Sequence, residues 1–380
     1  MEPSIEHARF SRRAMALGAL AWLGCGRSKG TRFPGYLVVA NRAGRSVAAV
    51  DLSAFAVARR TTLSGAPGDM LAHRELPLVY VEIPELGTVW EMDVRSLRVK
   101  RSARLTTAGP GTRALGMKMD PRSRSLWVLT PSSLVELPLD TFRPSRGIRL
   151  PGEAVDFDLG AEGRIAVTLR DREAVVLAAA SGRIEHRIPL SAPPAIVRFR
   201  ADEKQVLISH EGERSLTVAD VEMGRAVVRL PLPLEPRHFC FKPDGGELFV
   251  TGDGLDAVVI VDPYHTQVTE TVLAGRSPDA MTVSSALSYL LVANPNAGTV
   301  TILDFETRKL VATVPVGEEP RRILLTPDSQ YALVLNRRSG DVAVIRVAAL
   351  AGRRYRTWPP PLFTMIPVGA EPAAAAVVRV

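Results

Sequence analysis

Short apolar runs recur along the chain from residue 36 onward, and polar turns rich in Gly, Pro, Asp and Asn separate them. Runs of four to seven residues with apolar alternation, bounded by such turns, predict β-strands. Gly and Pro number 29 each and are spread between the runs, which indicates many turns and many short strands. The chain is therefore predicted to be all-β.

The runs form a repeat of eight units. Each unit begins with a short apolar strand, and the units start at Tyr36, Leu78, Ser125, Arg164, Gln205, Glu247, Tyr289 and Tyr331. A second strand often ends in Asp, a third follows, and a Pro-containing turn leads to a fourth. Two positions recur every 42 residues: Asp220, Asp262 and Asp304, and Pro194, Pro236, Pro278 and Pro320. A small four-stranded sheet needs a neighbour on each face, so radial stacking into a β-propeller is predicted.

The clearest unit reads VAN at 292–294, VTILD at 300–304 and VPVGEEP at 314–320. These stretches resemble the YVTN-repeat β-propeller family, whose unit reads approximately Leu-Tyr-Val-Thr-Asn, Val-x-Val-Ile-Asp and Pro-Val-Gly-x-x-Pro. The resemblance covers residues 36–380. Its signature residues build the blade, so it implies the fold and says little about function. Units 3 and 4 depart most, and the Asp position of unit 4 falls within Ala178-Ala179-Ala180.

The resemblance also implies how the ring closes. In such propellers the Pro-led strand is innermost, and the next three strands complete the same blade. This chain begins on a second strand at Tyr36 and ends on an innermost strand at 373–380. The last strand is therefore predicted to pair with the first blade, which leaves no open edge. Eight full units predict eight blades; seven is the alternative, if a degenerate unit lies outside the ring.

The N-terminal segment predicts export. Residues 10–25 place a positive segment before about eleven apolar or small residues and end on Cys25, which is typical of a signal peptide. The segment Ser11-Arg12-Arg13 resembles an incomplete twin-arginine signal, so general secretion and twin-arginine export both stay open. Leu23-Gly24-Cys25 resembles a lipoprotein cleavage box and implies lipidation of Cys25. A plain cleaved signal is the alternative, because Trp22 stands where the family prefers Leu.

The predicted organisation is a signal peptide at 1–25, a flexible tether at 26–35 and the propeller at 36–380. The residues of the tether are small and polar, and many of them interrupt helices and strands. The predicted location is the periplasm or the outer membrane, with membrane contact through the lipid anchor only. After removal of the leader, Cys240 alone remains in the propeller, so no internal disulfide is predicted.

Composition and charge narrow the partners. The chain is 46% hydrophobic and 23% charged, as expected of a globular protein. Its formal charge is +8, which favours anionic partners. There is no run of five or more Lys or Arg residues, so a nucleic-acid partner is not predicted.

The recurring Asp, Pro and Asn residues are interpreted as structural. Asp after a strand accepts turn hydrogen bonds, Pro fixes φ before the inner strand, and Asn41, Asn294 and Asn336 suit turns with positive φ. A catalytic residue is needed once, whereas a turn residue is needed in every blade. Residues that break the repeat are therefore more informative about function.

The turns that join first to second strands, and third to fourth, are predicted to converge on one face around the axial channel. Arginines are expected to outnumber carboxylates there, and such a funnel would concentrate anionic small molecules or acidic protein segments. The alternative is that these charged side chains are ordinary solvated residues of surface loops and bind no ligand. The candidate ligand-binding residues are Arg42, Arg113, Arg170, His210, Arg237, His238, Arg321 and Arg337.

The sequence predicts no catalytic residue, no cofactor and no metal site. His210 and His238 are candidates for a close pair, which could bind metal or shuttle protons, but no third ligand recurs with them. There is no Cys-x-x-Cys-His, His-Glu-x-x-His, Gly-x-Ser-x-Gly or phosphate-binding glycine loop. Exposed or structural roles for both histidines are therefore the favoured interpretation.

The leading functional hypothesis is a non-enzymatic, monomeric binding or scaffold propeller at the cell envelope. Its ligand, a protein or an anionic small molecule, would bind at the arginine-rich channel mouth. The alternative is an enzyme, since related propellers include lactonases and the propeller subunits of periplasmic redox enzymes. A surface-layer or adhesion role is the third hypothesis.

Overall fold

The computed structural model describes residues 33–105, 113–122, 124–350 and 360–380. The predicted signal peptide with Cys25, and most of the tether, lie outside these residues. The described chain forms eight four-stranded antiparallel sheets. The predicted all-β propeller with eight blades is confirmed, and the seven-blade alternative is wrong. No helix in the described ranges has the length and apolar character needed to cross a bilayer.

Each blade is described from its innermost to its outermost strand. Blade 1 consists of β32 (Pro372–Arg379), β1 (Gly35–Asn41), β2 (Ser46–Asp51) and β3 (Ala56–Thr62), and blade 2 consists of β4 (Met70–Ala72), β5 (Leu78–Ile83), β6 (Thr88–Asp93) and β7 (Arg98–Arg104). Blade 3 consists of β8 (Gly116–Met119), β9 (Ser125–Leu129), β10 (Ser133–Pro138) and β11 (Arg146–Arg149), and blade 4 consists of β12 (Ala154–Leu159), β13 (Arg164–Leu169), β14 (Glu173–Ala178) and β15 (Ile184–Pro189). Blade 5 consists of β16 (Pro194–Phe199), β17 (Gln205–His210), β18 (Ser215–Asp220) and β19 (Arg225–Pro231), and blade 6 consists of β20 (Glu235–Phe241), β21 (Leu248–Asp253), β22 (Ala257–Asp262) and β23 (Gln267–Leu273). Blade 7 consists of β24 (Met281–Ser284), β25 (Tyr289–Asn294), β26 (Thr299–Asp304) and β27 (Leu310–Pro315), and blade 8 consists of β28 (Pro320–Leu325), β29 (Tyr331–Asn336), β30 (Asp341–Arg346) and β31 (Leu362–Pro367).

The ring is closed by strand pairing, as predicted. The C-terminal β32 pairs antiparallel with β1, in a register that runs from Gly35 opposite Arg379 to Asn41 opposite Pro372. β1 also pairs with β2, so it has a neighbour on each side. Blade 1 is therefore built from both ends of the propeller sequence.

The hydrophobic core is divided among the eight junctions between neighbouring blades. In β1, Leu37 and Val39 face blade 8, whereas Val38 and Ala40 face blade 2. Successive side chains of a strand point to opposite faces, and here both faces are buried. This explains why the middle strands read as continuous apolar runs.

The aspartates that end the third strand of a blade, counted from the inside, play the predicted structural role. The Asp304 carboxylate accepts hydrogen bonds from the backbone amides of Glu306 at 3.0 Å and Thr307 at 2.8 Å. Asp51 and Asp262 accept the corresponding turn amides in blades 1 and 6. These carboxylates hold the turns at the end of the blades opposite the mouth.

The prediction for the recurring asparagines is wrong. Asn41, Asn294 and Asn336 end strands, are fully buried and do not adopt positive φ. The Asn41 side-chain amide donates to the carbonyl of Val368 in the preceding blade, at 2.9 Å. A Cβ on Gly369 would collide with this amide, which explains the glycine of the Pro-Val-Gly signature. Asn41 therefore joins neighbouring blades, whereas the amides of Asn294 and Asn336 donate to Thr301 and Asp341 of their own blades.

Candidate functional site

The strand order brings two sets of turns to one end of the ring, as predicted. The turn from β21 to β22 and the connection from β23 to β24 both lie at this end, which we call the mouth. Three grooves open there. Groove 6–7 has a volume of about 530 Å³, groove 7–8 about 860 Å³ and groove 1–3 about 420 Å³, each named after the blades that line it.

A chain of ion pairs crosses the mouth from blade 6 to blade 8. His238 on β20 contacts the Asp279 carboxylate through its Nε2 atom. The second oxygen of Asp279 binds Arg321 Nη1 at 2.7 Å, and Arg321 also binds Glu319 at 3.0 Å. Burial raises the pKa of Asp279, but the bonds from His238 and Arg321 outweigh burial and hold that pKa below its usual value.

The same network continues into blade 1. Arg337 Nη2 binds Glu371 Oε1 at 2.6 Å, and Arg337 Nη1 lies 3.7 Å from Glu319. Arg42 Nη1 lies 4.0 Å from Glu371. Every junction from blade 6 to blade 1 therefore carries alternating charge along the mouth.

Most of the predicted ligand-binding arginines are already paired. Arg237 binds Asp253 and Glu235, each at 2.8 Å. Arg170 lies 3.1 Å from Glu153. With Arg42, Arg321 and Arg337, five of the six candidate arginines contact a carboxylate. The expected excess of arginine over carboxylate at the mouth is thus reduced, because glutamates such as Glu153, Glu319 and Glu371 also lie there.

Three of the glutamates at the mouth share one position in the repeat. Glu235, Glu319 and Glu371 each stand directly before a proline at the start of an inner strand. This Glu-Pro pair recurs in blades 6, 8 and 1. The glutamate side chain reaches the mouth, where it fixes neighbouring arginines.

The two candidate histidines occupy different environments. The His210 ring is fully buried, and its nitrogens lie 3.1 Å from the Ala192 carbonyl oxygen and 2.7 Å from the Thr217 hydroxyl. Burial lowers the His210 pKa, so the ring is neutral near pH 7. The structure therefore removes His210 from the mouth surface and gives it a structural role. His238 is partly exposed and bound to Asp279.

Three of the arginines that line these grooves form no ion pair with any described residue. Arg276 and Arg338 line groove 7–8, and Arg113 lines groove 1–3. The candidate list included Arg113 but not the other two. Arg276 lies 42 residues before Glu318, so the two residues occupy equivalent positions in neighbouring repeats. The change of charge between these repeats is the sequence signal that marks Arg276.

Glu82 is a buried carboxylate in groove 1–3. Its residue is 4% exposed, and its oxygens accept the backbone amides of Asp69 at 3.3 Å and Ala114 at 3.1 Å. Burial raises the Glu82 pKa to about 7, against the opposing effect of these bonds and of Arg113. Over the described ranges, no group of three or more His, Cys, Asp or Glu residues is arranged to hold a metal ion.

Comparison with known proteins supports the fold. Residues 236–354, less than half of the chain, match the family model described as "Lactonase, 7-bladed beta-propeller". No curated protein matches the chain. The structure of dihydro-heme d1 dehydrogenase NirN in complex with DHE is similar, with a TM-score of 0.70 and 17% identity, over 91% of this chain and 77% of that chain. Hydrazine synthase of Kuenenia stuttgartiensis is similar with a TM-score of 0.58 and 18% identity, over 74% of this chain and 96% of that chain.

Proposed function

We propose that this protein is a non-enzymatic binding propeller of the cell envelope, with repeats of the YVTN type. Its mouth binds an anionic small molecule or an acidic segment of a partner protein. The observation that carries this proposal is the presence of unpaired arginines in grooves 7–8 and 1–3, on a face whose other arginines are mostly paired. A guanidinium without a carboxylate partner keeps its donors for a ligand.

Groove 7–8 is the main ligand site in this proposal. Its volume of about 860 Å³ lies within the usual range for small-molecule sites. Arg276 approaches from blade 7 and Arg338 from blade 8. Between them, Arg321 is held by Asp279 and Glu319, so the charge offered to a ligand comes from the two outer arginines.

Replacement of both unpaired arginines should weaken anion binding. We expect Arg276→Gln with Arg338→Gln to reduce the affinity for citrate or a short polyglutamate peptide about tenfold or more, because each lost charged hydrogen bond is worth roughly 1.5 to 3 kcal/mol. Isothermal titration calorimetry at low ionic strength measures this. The matched control is Arg95→Gln with Arg225→Gln, which removes the same charge from the opposite end of the blades. Equal weakening in both double variants would show that only net charge matters.

A second candidate function is lactone hydrolysis. His238, Asp279 and Arg321 form one bonded group, and all three lie inside the segment that matches the lactonase model. A histidine oriented by a carboxylate is suited to act as a general base. Lactone turnover by the purified protein, abolished by His238→Gln, would overturn the non-enzymatic proposal.

We further propose that the protein is exported and held at the membrane by lipid on Cys25, with no other membrane contact. Two or three acyl chains anchor a protein stably, whereas one does not. Cys25→Ser should therefore move most of the protein from the membrane fraction to the soluble envelope fraction. Cys240→Ser, which changes the other cysteine, should leave the distribution unchanged. Retention of Cys25→Ser in the membrane fraction would rule out this anchor.

A further inference from the structure

Glu82 joins two blades at the mouth through a single carboxylate. One oxygen accepts the amide of Asp69, directly before the inner strand of blade 2. The other accepts the amide of Ala114, just before the inner strand of blade 3. Gly68 packs so closely that a Cβ there would overlap the carboxylate. The acid is thus built into the wall of groove 1–3.

Other blades satisfy the same backbone amide with a neutral side chain. In blade 4 the equivalent residue is Thr168, whose hydroxyl accepts the amide of Asp156 at 3.1 Å. In blade 5 it is Ser209, whose hydroxyl accepts the amide of Ile196 at 3.1 Å. A hydroxyl is therefore sufficient to build this part of a blade. The acid in blade 2 adds a titratable charge that the fold does not require.

Apart from Arg113, the other charged side chains around Glu82 are paired. Three ion pairs surround it: Arg322 with Asp69 at 3.4 Å, Arg45 with Glu85 at 3.0 Å, and Arg42 with Glu371 at 4.0 Å. Arg113 has no such partner among the described residues, and its positive field acts on Glu82. The net charge of the groove therefore depends on Arg113 and Glu82. Protonation of Glu82 makes the groove more positive by one charge.

We propose that Glu82 couples proton uptake to the binding of a small carboxylate- or phosphate-type anion at Arg113 in groove 1–3. This inference rests on the proposed anion-binding function of the mouth. An anion at Arg113 neutralises the positive field that stabilises ionised Glu82, so it favours protonation. Protonation in turn removes a negative charge that competes with the anion. The two effects are reciprocal by thermodynamic linkage.

The pH range of this coupling follows from the burial of Glu82. Its pKa is raised by burial to about 7, well above that of an exposed glutamate. Below pH 7 the side chain is mostly protonated and Arg113 is free to bind. As the pH rises through 7, the carboxylate ionises and anion affinity falls.

Sulfate is a suitable probe, because its charge is constant between pH 5.5 and 8.5. We expect its affinity for the full chain to fall at least fivefold between pH 6 and pH 8, a modest allosteric coupling. Titration in two buffers of different ionisation enthalpy should show proton uptake on binding at pH 7. Calorimetry or chemical-shift titration gives both quantities.

Three variants separate the contributions. Glu82→Thr introduces the residue found at this position in blade 4, and Glu82→Gln keeps the size of the side chain; both should bind sulfate without the pH dependence. Arg113→Gln should lose binding, whereas Arg95→Gln at the opposite end should retain it. Equal wild-type affinity at both pH values, or pH dependence that persists in both Glu82 variants, would overturn the coupling and leave anion binding intact. Absence of sulfate binding at every pH would overturn both the coupling and the proposed function of this groove.

Discussion

A chain that ends at Glu371, and so lacks β32, is expected to unfold far below the temperature at which the full chain unfolds. β32 supplies the inner strand of blade 1, and its removal leaves β1 with one unpaired edge. It also exposes apolar contacts of Val378 and of the buried alanines 374–376. Lost burial and pairing together cost more than about 5 kcal/mol, which is comparable to the whole stability of many domains.

Circular dichroism melting of the truncated and full chains measures this loss. Ala373→Ser, at the mouth end of the same strand, is the matched control and should leave the melting temperature nearly unchanged. A synthetic peptide of residues 372–380 added to the truncated chain should restore part of the stability, because it can occupy the vacant strand position. A truncated chain that melts like the full chain would show that ring closure by β32 does not hold the propeller together.

The fold was predictable because its determinants are local and repeated. Each unit carries its own apolar strands, and an aspartate such as Asp304 bonds amides only two and three residues ahead. The sequence also predicted how the ring closes, because the first repeat unit begins on the second strand of a blade and the last residues form an innermost strand. Such features depend on short stretches of sequence and hardly on side-chain placement in other blades.

The site was less predictable because its contacts join different blades. Arg321 and Asp279 are 42 residues apart, and Arg337 and Glu371 are 34 apart. Such pairs form only after the blades stack, so the sequence does not show which charged side chains bind each other. The asparagine prediction was wrong for the same reason: the carbonyl that Asn41 contacts belongs to Val368, 327 residues away. A local turn motif was inferred where the structure has a long-range contact.

Arg101 shows how an inter-blade contact compensates for a departure from the repeat. It extends from the outer strand of blade 2 and donates to the carbonyls of Leu139 at 2.7 Å and Asp140 at 2.6 Å, in the turn of blade 3. Arg146 makes the equivalent bond to the carbonyl of Ala180, in the blade 4 turn that lacks the usual aspartate. These arginines therefore fasten turns in the two most divergent units.

Arg101→Met is expected to destabilise the propeller by about 2 to 4 kcal/mol, because it leaves the Glu91 carboxylate buried without its cation. The Glu91 side chain is 3% exposed and accepts Arg101 Nε at 2.9 Å. The arginine itself is one-third exposed, which keeps the expected loss below that of a fully buried pair. The double variant Glu91→Met with Arg101→Met should recover most of the stability, since no unpaired charge remains. Urea denaturation measures the differences, with Arg98→Met on the same exposed strand as control; if Arg101→Met costs no more than Arg98→Met, the pair does not hold blades 2 and 3 together.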